Sequence, residues 1–99
     1  MKIKFTKFEK NDNWVNGLVN DGEFYFEAKL FEEGSIHGIN EGRVSKLSIS
    51  IGDSWTGFKT CITNYDRGWD IKPQTAIAQA VYNEVLDFLE NAPKTRFDY

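Results

Sequence analysis

Apolar and polar residues alternate along most of the chain before a longer period takes over near the end. In KIKFTKF, Ile3 and Phe5 share one side and the lysines take the other. NWVNGLVN sets Trp14, Asn16 and Leu18 against Val15, Gly17 and Val19. The Asp21–Gly22 pair that follows is a strong hairpin signal. In EFYFEAKLF, Phe24, Phe26, Ala28 and Leu30 line one face, and Tyr25, Glu27, Lys29 and Phe31 line the other. A period of two predicts half-buried antiparallel strands. After a loop at 32–42, RVSKLSISI sets Leu47, Ile49 and Ile51 against Lys46, Ser48 and Ser50. GDSWTG reads as a turn. FKTCITNY reads as a weaker fifth strand, in which Phe58, Thr60 and Ile62 alternate with Lys59, Cys61 and Thr63.

From Pro73 onward the spacing is helical. QTAIAQAVYNEVLDFLENA places Ile77, Val81, Val85, Phe88 and Leu89 on one stripe, with Ala78 and Ala80 beside it. Pro73 suits a first helical turn, where its missing N–H costs nothing, and Pro93 closes the segment. Gln74, Gln79, Asn83, Glu84, Asp87 and Glu90 keep the far side wet. The expected architecture is one α+β domain over residues 1–99. A meander of four to five antiparallel strands occupies 1–72, a helix 73–92 and a short tail 93–99. A helix of about 18 residues is roughly 27 Å long and covers one face of such a sheet. The other face carries Lys, Ser, Thr, Glu and Tyr, and meets water or a partner.

Composition narrows the choice of function. A chain of 99 residues buries about two-thirds of the surface its unfolded form exposes, enough to fold without staples. With 40% hydrophobic and 27% charged residues it is not a disordered tract. Eight Phe, four Tyr and three Trp supply a core from few positions. The net charge of −3 disfavours bulk attraction to nucleic acid or anionic membranes. A single cysteine, Cys61, and a single histidine, His37, leave no intramolecular disulfide and no cysteine cage for zinc. No cofactor or metal is expected. No apolar run reaches signal-peptide or membrane-spanning length, so a cytoplasmic protein is expected.

Two loops carry candidate chemistry. In GINEGRVSKL (38–47), Gly38 and Gly42 flank Ile39, Asn40 and Glu41. Either the glycines build a tight connection with Ile39 plugging the sheet end, or loop N–H groups join Arg43 and Lys46 in an anion-binding concavity. The spacing fits neither a phosphate loop nor a dinucleotide fingerprint. In YDRGWD (65–70), Arg67 lies between Asp66 and Asp70, with Tyr65 and Trp69 at hand. This is a structural fork or an anchor cluster of the residue types that dominate interfaces. Trp55 adds a ring in a predicted turn. The candidate contacts for a protein partner are therefore Arg43, Lys46, Trp55, Tyr65, Arg67 and Trp69. Lys29, Lys46, Ser48 and Lys59, with Tyr25, also outline a basic strip for single-stranded nucleic acid, against which Glu27 stands on the same face. His37 can be paired on paper with Cys61, Asp66 or Asp70, but no nucleophile elbow, His–Glu metal helix or paired-carboxylate motif is present. No enzyme is expected, and Cys61 reads as a half-buried strand residue.

Trp14, Gly17, the AKLFEE stretch, Ser35, GINEGRVSKL and YDRGWD, followed by the C-terminal helix, carry a resemblance. Over about residues 12–90 the chain resembles small proteins of bacteriophages and prophages of Gram-positive bacteria that carry a domain of unknown function. The resemblance implies a phage or mobile-element origin and brings no activity, cofactor or catalytic residue with it. Such proteins often act by binding host machinery. The expectation is a non-catalytic binding protein in the host cytoplasm. It engages a host or phage protein, in one form as an inhibitor, through the open sheet face or the 35–46 and 54–70 loops. An accessory nucleic-acid-binding protein is the alternative. Self-association through the open face or a sheet edge is a further possibility for the partner. A small hydrolase or nucleotide binder comes third.

Overall fold

The computed structural model describes residues 1–9 and 11–94. Its strands are β1 (Ile3–Lys7), β2 (Trp14–Val19), β3 (Phe24–Leu30), β4 (Val44–Ile51), β5 (Cys61–Asp66) and β6 (Trp69–Ile71). They pair in chain order, each antiparallel to the next, in one sheet. A single helix, α1 (Ala76–Glu90), packs on one face. The α+β architecture is as expected, but the meander has six strands rather than four to five. The extra strand, β6, has only three residues, too few to show a period of two. The predicted tail lies outside the described residues from position 95 onward.

The first hairpin forms where the sequence marks it. Asn20 and Asp21 take φ 51° and 58°, and the N–H of Gly22 donates to the Val19 carbonyl at 3.2 Å. Two consecutive left-handed residues make a turn whose twist matches the flanking strands, and short polar side chains tolerate that conformation. Val15, Ala28 and Leu47 then fall in one cross-strand row, and Gly17, Phe26 and Ile49 in the next. All six are buried beneath α1. A Cβ at Gly17 would run into the Phe26 ring and the Lys4 carbonyl. Glycine here lets β1 and a large ring share the same space. Phe5, Phe8, Phe26 and Phe88 cluster at this end, with Phe5 stacked on Phe8 at 4.4 Å between centroids.

Three details depart from the simple alternation. Ile51 is the last residue of β4 and is exposed at the rim, whereas Ser50 beside it is buried. Phe58, Lys59 and Thr60 form a 3₁₀ turn rather than strand, so Phe58 stands 62% exposed and Lys59 leaves the predicted basic strip. The strand proper begins at Cys61, and a shift of pairing between Ile49 and Ser50 turns Thr63 and Tyr65 toward the helix side. The helix starts later than predicted. Thr75 caps it, its hydroxyl accepting from the Ala78 N–H at 3.0 Å, and Pro73 lies outside. The buried stripe is Ala78, Val81, Tyr82, Val85 and Leu89. Ile77 and Ala80 are exposed, because the helix turns Tyr82 inward against Trp69, with centroids 5.3 Å apart.

Candidate functional site

The two loops singled out in the sequence meet. The Arg67 N–H donates to the Ser45 carbonyl at 3.0 Å, and Lys46 pairs across β4–β5 with Asp66. The Tyr65 hydroxyl donates to the His37 carbonyl at 3.2 Å. What they build differs from the expectation residue by residue.

The 38–42 segment is structural. A Cβ at Gly38 would strike the Gly42 carbonyl, and one at Gly42 would strike the Glu90 carboxylate. Asn40 and Glu41 take φ 53° and 58°, and Ile39 is buried in the core, plugging the sheet end. Arg43 is not a surface contact: it is 7% exposed. Its Nε donates to the Phe31 carbonyl at 2.8 Å, and Nη1 donates to the carbonyls of Glu90 at 3.0 Å and Ala92 at 2.7 Å. Its backbone N–H donates to the Glu90 carboxylate at 2.9 Å. The last carbonyls of a helix have no partner within the helix and carry its negative end, and a buried guanidinium satisfies both needs. No loop concavity for an anion is left around Arg43.

YDRGWD divides between the two faces of the sheet. Tyr65 lies on the helix side, where Trp69 meets it edge-on at 5.2 Å and also packs on Tyr82, leaving Trp69 39% exposed. Asp66 and Arg67 point away from that cluster. Asp66 lies 3.5 Å from the Lys46 ammonium and 3.4 Å from the Arg67 Nε. Trp55 stands apart, half-buried on the β4–β5 connection with its ring edge-on to Phe58 at 5.2 Å.

Among the described residues no element covers the face of the sheet opposite α1. Cross-strand pairing sets Trp14, Lys29, Lys46 and Asp66 in one row over four strands. Asn16, Glu27, Ser48 and Asn64 form the next row. The Lys46 ammonium sits over the Trp14 ring, 5.7 Å from its centroid, and Lys29 likewise over Phe31 at 5.7 Å. Ser48 donates to Asn64 at 2.6 Å, and Asn64 donates onward to Asp70 at 3.0 Å. The Tyr25 hydroxyl donates to Glu27 at 2.8 Å. Partial burial and the Glu27 carboxylate push its ionisation far up.

Two depressions flank the first row and share Lys46. One is a cleft of about 620 Å³ between the start of β4, the 31–37 segment and the β5–β6 turn, lined by Lys29, Phe31, Glu32, Glu33, His37, Ser45, Lys46 and Arg67. The other, of about 210 Å³, lies between Trp14, Phe58, Glu27 and Asp66. Of the candidates, Lys46 and Arg67 are therefore brought together in one cleft. Tyr65 lines the second depression, whereas Arg43, Trp55 and Trp69 line neither. Lys29 belongs to the predicted basic strip, whereas Trp14 and Phe31 are not among the predicted contacts. The signal for Trp14 was present, because the hairpin at 20–23 registers Trp14 opposite Lys29 once the strands are aligned.

His37 lies at the cleft, whereas Cys61 sits half-buried in β5, donates to the Thr63 carbonyl at 3.0 Å and has its thiol pushed up chiefly by burial. Among the described residues no group of three or more His, Cys, Asp or Glu is placed to hold a metal ion. No helix among them is long and apolar enough to cross a membrane.

No curated protein matches the chain, and no solved structure matches it. A family model described as a domain of unknown function, DUF7678, matches residues 13–90. That span takes in β2 to β6, the cleft and α1, and the chain belongs to this family.

Proposed function

We propose that this chain is a non-catalytic binding module that engages a protein partner through the open face of its sheet. One observation carries the reading: α1 packs on one face, and the other presents a continuous Trp14–Lys29–Lys46–Asp66 row with a cleft alongside it. Trp14 is 39% exposed there, and Phe58 beside it is more exposed still. Aromatic rings and Arg interleaved with polar groups are the makings of an interface centre. Following the resemblance noted in the sequence, the module is of phage or prophage type and acts in the host cytoplasm on a host or phage protein, one form of action being inhibition.

A photo-crosslinking amino acid at position 14 tests this, with the same group at Gln79 on the wet side of α1 as the contrast. A defined adduct from bacterial lysate at position 14 and none at position 79 is the expected result. Adducts at 79 alone, or equal labelling at both, would overturn the assignment of the face.

The alternative partner is single-stranded nucleic acid, favoured by the same two rings and by Lys29, Lys46 and Arg67. Stacking and phosphate contacts are its usual currency. Glu27, Asp66, Glu32 and Glu33 on the same surface oppose it. Phosphate contacts make affinity fall steeply with salt, so binding to single-stranded DNA measured at low and moderate salt separates the two readings.

A further inference from the structure

Lys29 and Lys46 are direct cross-strand partners on the same face of β3 and β4. Like charges set opposite one another destabilise a sheet. Of the two, among the described residues, Lys46 has a carboxylate in reach, Asp66 at 3.5 Å. Among the described residues Lys29 forms no ion pair and meets the Phe31 ring instead. The third cation, Arg67, stands in a left-handed conformation, φ 55°, with its side chain 65% exposed. An L residue without a short polar side chain is strained there by about 1–2 kcal/mol, and Asn or Gly suits the turn better. Its charge is aimed at the same Asp66. Lys46 and Arg67 thus share one carboxylate and Lys29 is paired with none, in a cleft that Phe31 lines together with Glu32 and Glu33. Of the two carboxylates in that lining, Glu33 is already held by Lys94 at 3.2 Å.

We infer that this cleft receives an acidic segment of the partner: an Asp or Glu carboxylate among Lys29, Lys46 and Arg67, with a neighbouring apolar side chain against Phe31. The inference rests on the protein-binding reading above and names the chemistry that reading leaves open. The carboxylate relieves the Lys29–Lys46 repulsion, and the Arg67 fork supplies directional donors to it. A cleft of about 620 Å³ lies within the span of built ligand sites, roughly 300–1,000 Å³. The chain's net charge of −3 gives no long-range pull on an acidic partner. The three cations therefore act on which segment is accepted rather than on how fast it arrives.

The test uses three capped peptides that share one sequence, with Glu-Phe-Glu, Gln-Phe-Gln or Lys-Phe-Lys at the centre. Each is titrated into the isotope-labelled protein and followed by amide chemical shifts. Shifts confined to Lys29, Phe31, Ser45, Lys46 and Arg67 are expected with the Glu peptide. Its affinity should be roughly tenfold above that of the Gln peptide, a difference of about 1.4 kcal/mol. Arg67→Gly and Lys29→Gln should each remove most of that preference. Arg67→Gly should leave the urea midpoint unchanged or raised, since glycine adopts positive φ without strain, so loss of binding cannot be ascribed to unfolding.

Equal binding of the Glu and Gln peptides, preference for the Lys peptide, or shifts elsewhere would overturn the inference. Displacement of the Glu peptide by a short single-stranded DNA in low salt would overturn it in favour of phosphate. A partner captured through position 14 that binds Arg67→Gly and Lys29→Gln as tightly as the parent chain sinks this inference and leaves the protein-binding reading intact. Failure at position 14, with the Glu-peptide preference intact, does the opposite.

Discussion

The Arg43 guanidinium and the Arg67 guanidinium lie beside glycines in similar polar stretches, yet they do opposite things. Arg43 bridges Phe31 to the carbonyls that close α1. Charge-assisted bonds of this kind contribute about 1.5–3 kcal/mol each, and removing the donor leaves buried carbonyls unmatched. Arg43→Ala should cost about 3 kcal/mol or more, a large part of the 5–15 kcal/mol that holds a typical domain. Arg43→Lys keeps the charge without the planar fork and should fall between Arg43→Ala and the parent chain. Urea midpoints check both, and an unchanged midpoint for Arg43→Ala would refute the capping role. The difference between the two arginines was not legible in the sequence. Arg43's place depends on Glu90 and Ala92, nearly fifty positions away, and no local pattern carries that information.

The helix and the strands differ in how openly the sequence writes them. β3 alternates over its full seven residues, and the structure buries Phe24, Phe26, Ala28 and Leu30 as the pattern requires. A strand of three residues, β6, offers no such count. The period of α1 was visible but its phase was off, because Tyr82 turns inward and Ile77 does not. Tyrosine suits either side of a helix, so it takes contact with Trp69 to decide the matter. Leu89→Ala, at a fully buried position, should therefore cost about 2–5 kcal/mol. Ile77→Ala should stay within about 0.5 kcal/mol of the parent chain, as exposed substitutions do. Chemical denaturation of the two variants side by side checks this, and the reverse order would return Ile77 to the core.

At the scale of the whole molecule, one helix and one sheet share a single core, and neither stands alone. An isolated helix of 15 residues is marginal in water, and Arg43 fastens its end to the loops beside β3 and β4. The urea transition followed by far-UV circular dichroism should therefore coincide with that followed by indole fluorescence. Separate midpoints would mean that α1 comes away from the sheet by itself. The open face was legible in outline, since Lys, Ser and Glu alternate with core positions on β3 and β4. The cleft was not, because it needs Phe31, Lys46 and Arg67 from three separate segments to converge. Periodicity was enough to specify an antiparallel meander, a one-sided helix and a wet sheet surface, because alternation and helical spacing are properties of neighbouring residues. Strand count at the edge, helix phase, the burial of Arg43 and the gathering of Lys29, Lys46 and Arg67 were settled by folding, because each depends on contacts between residues far apart in the chain.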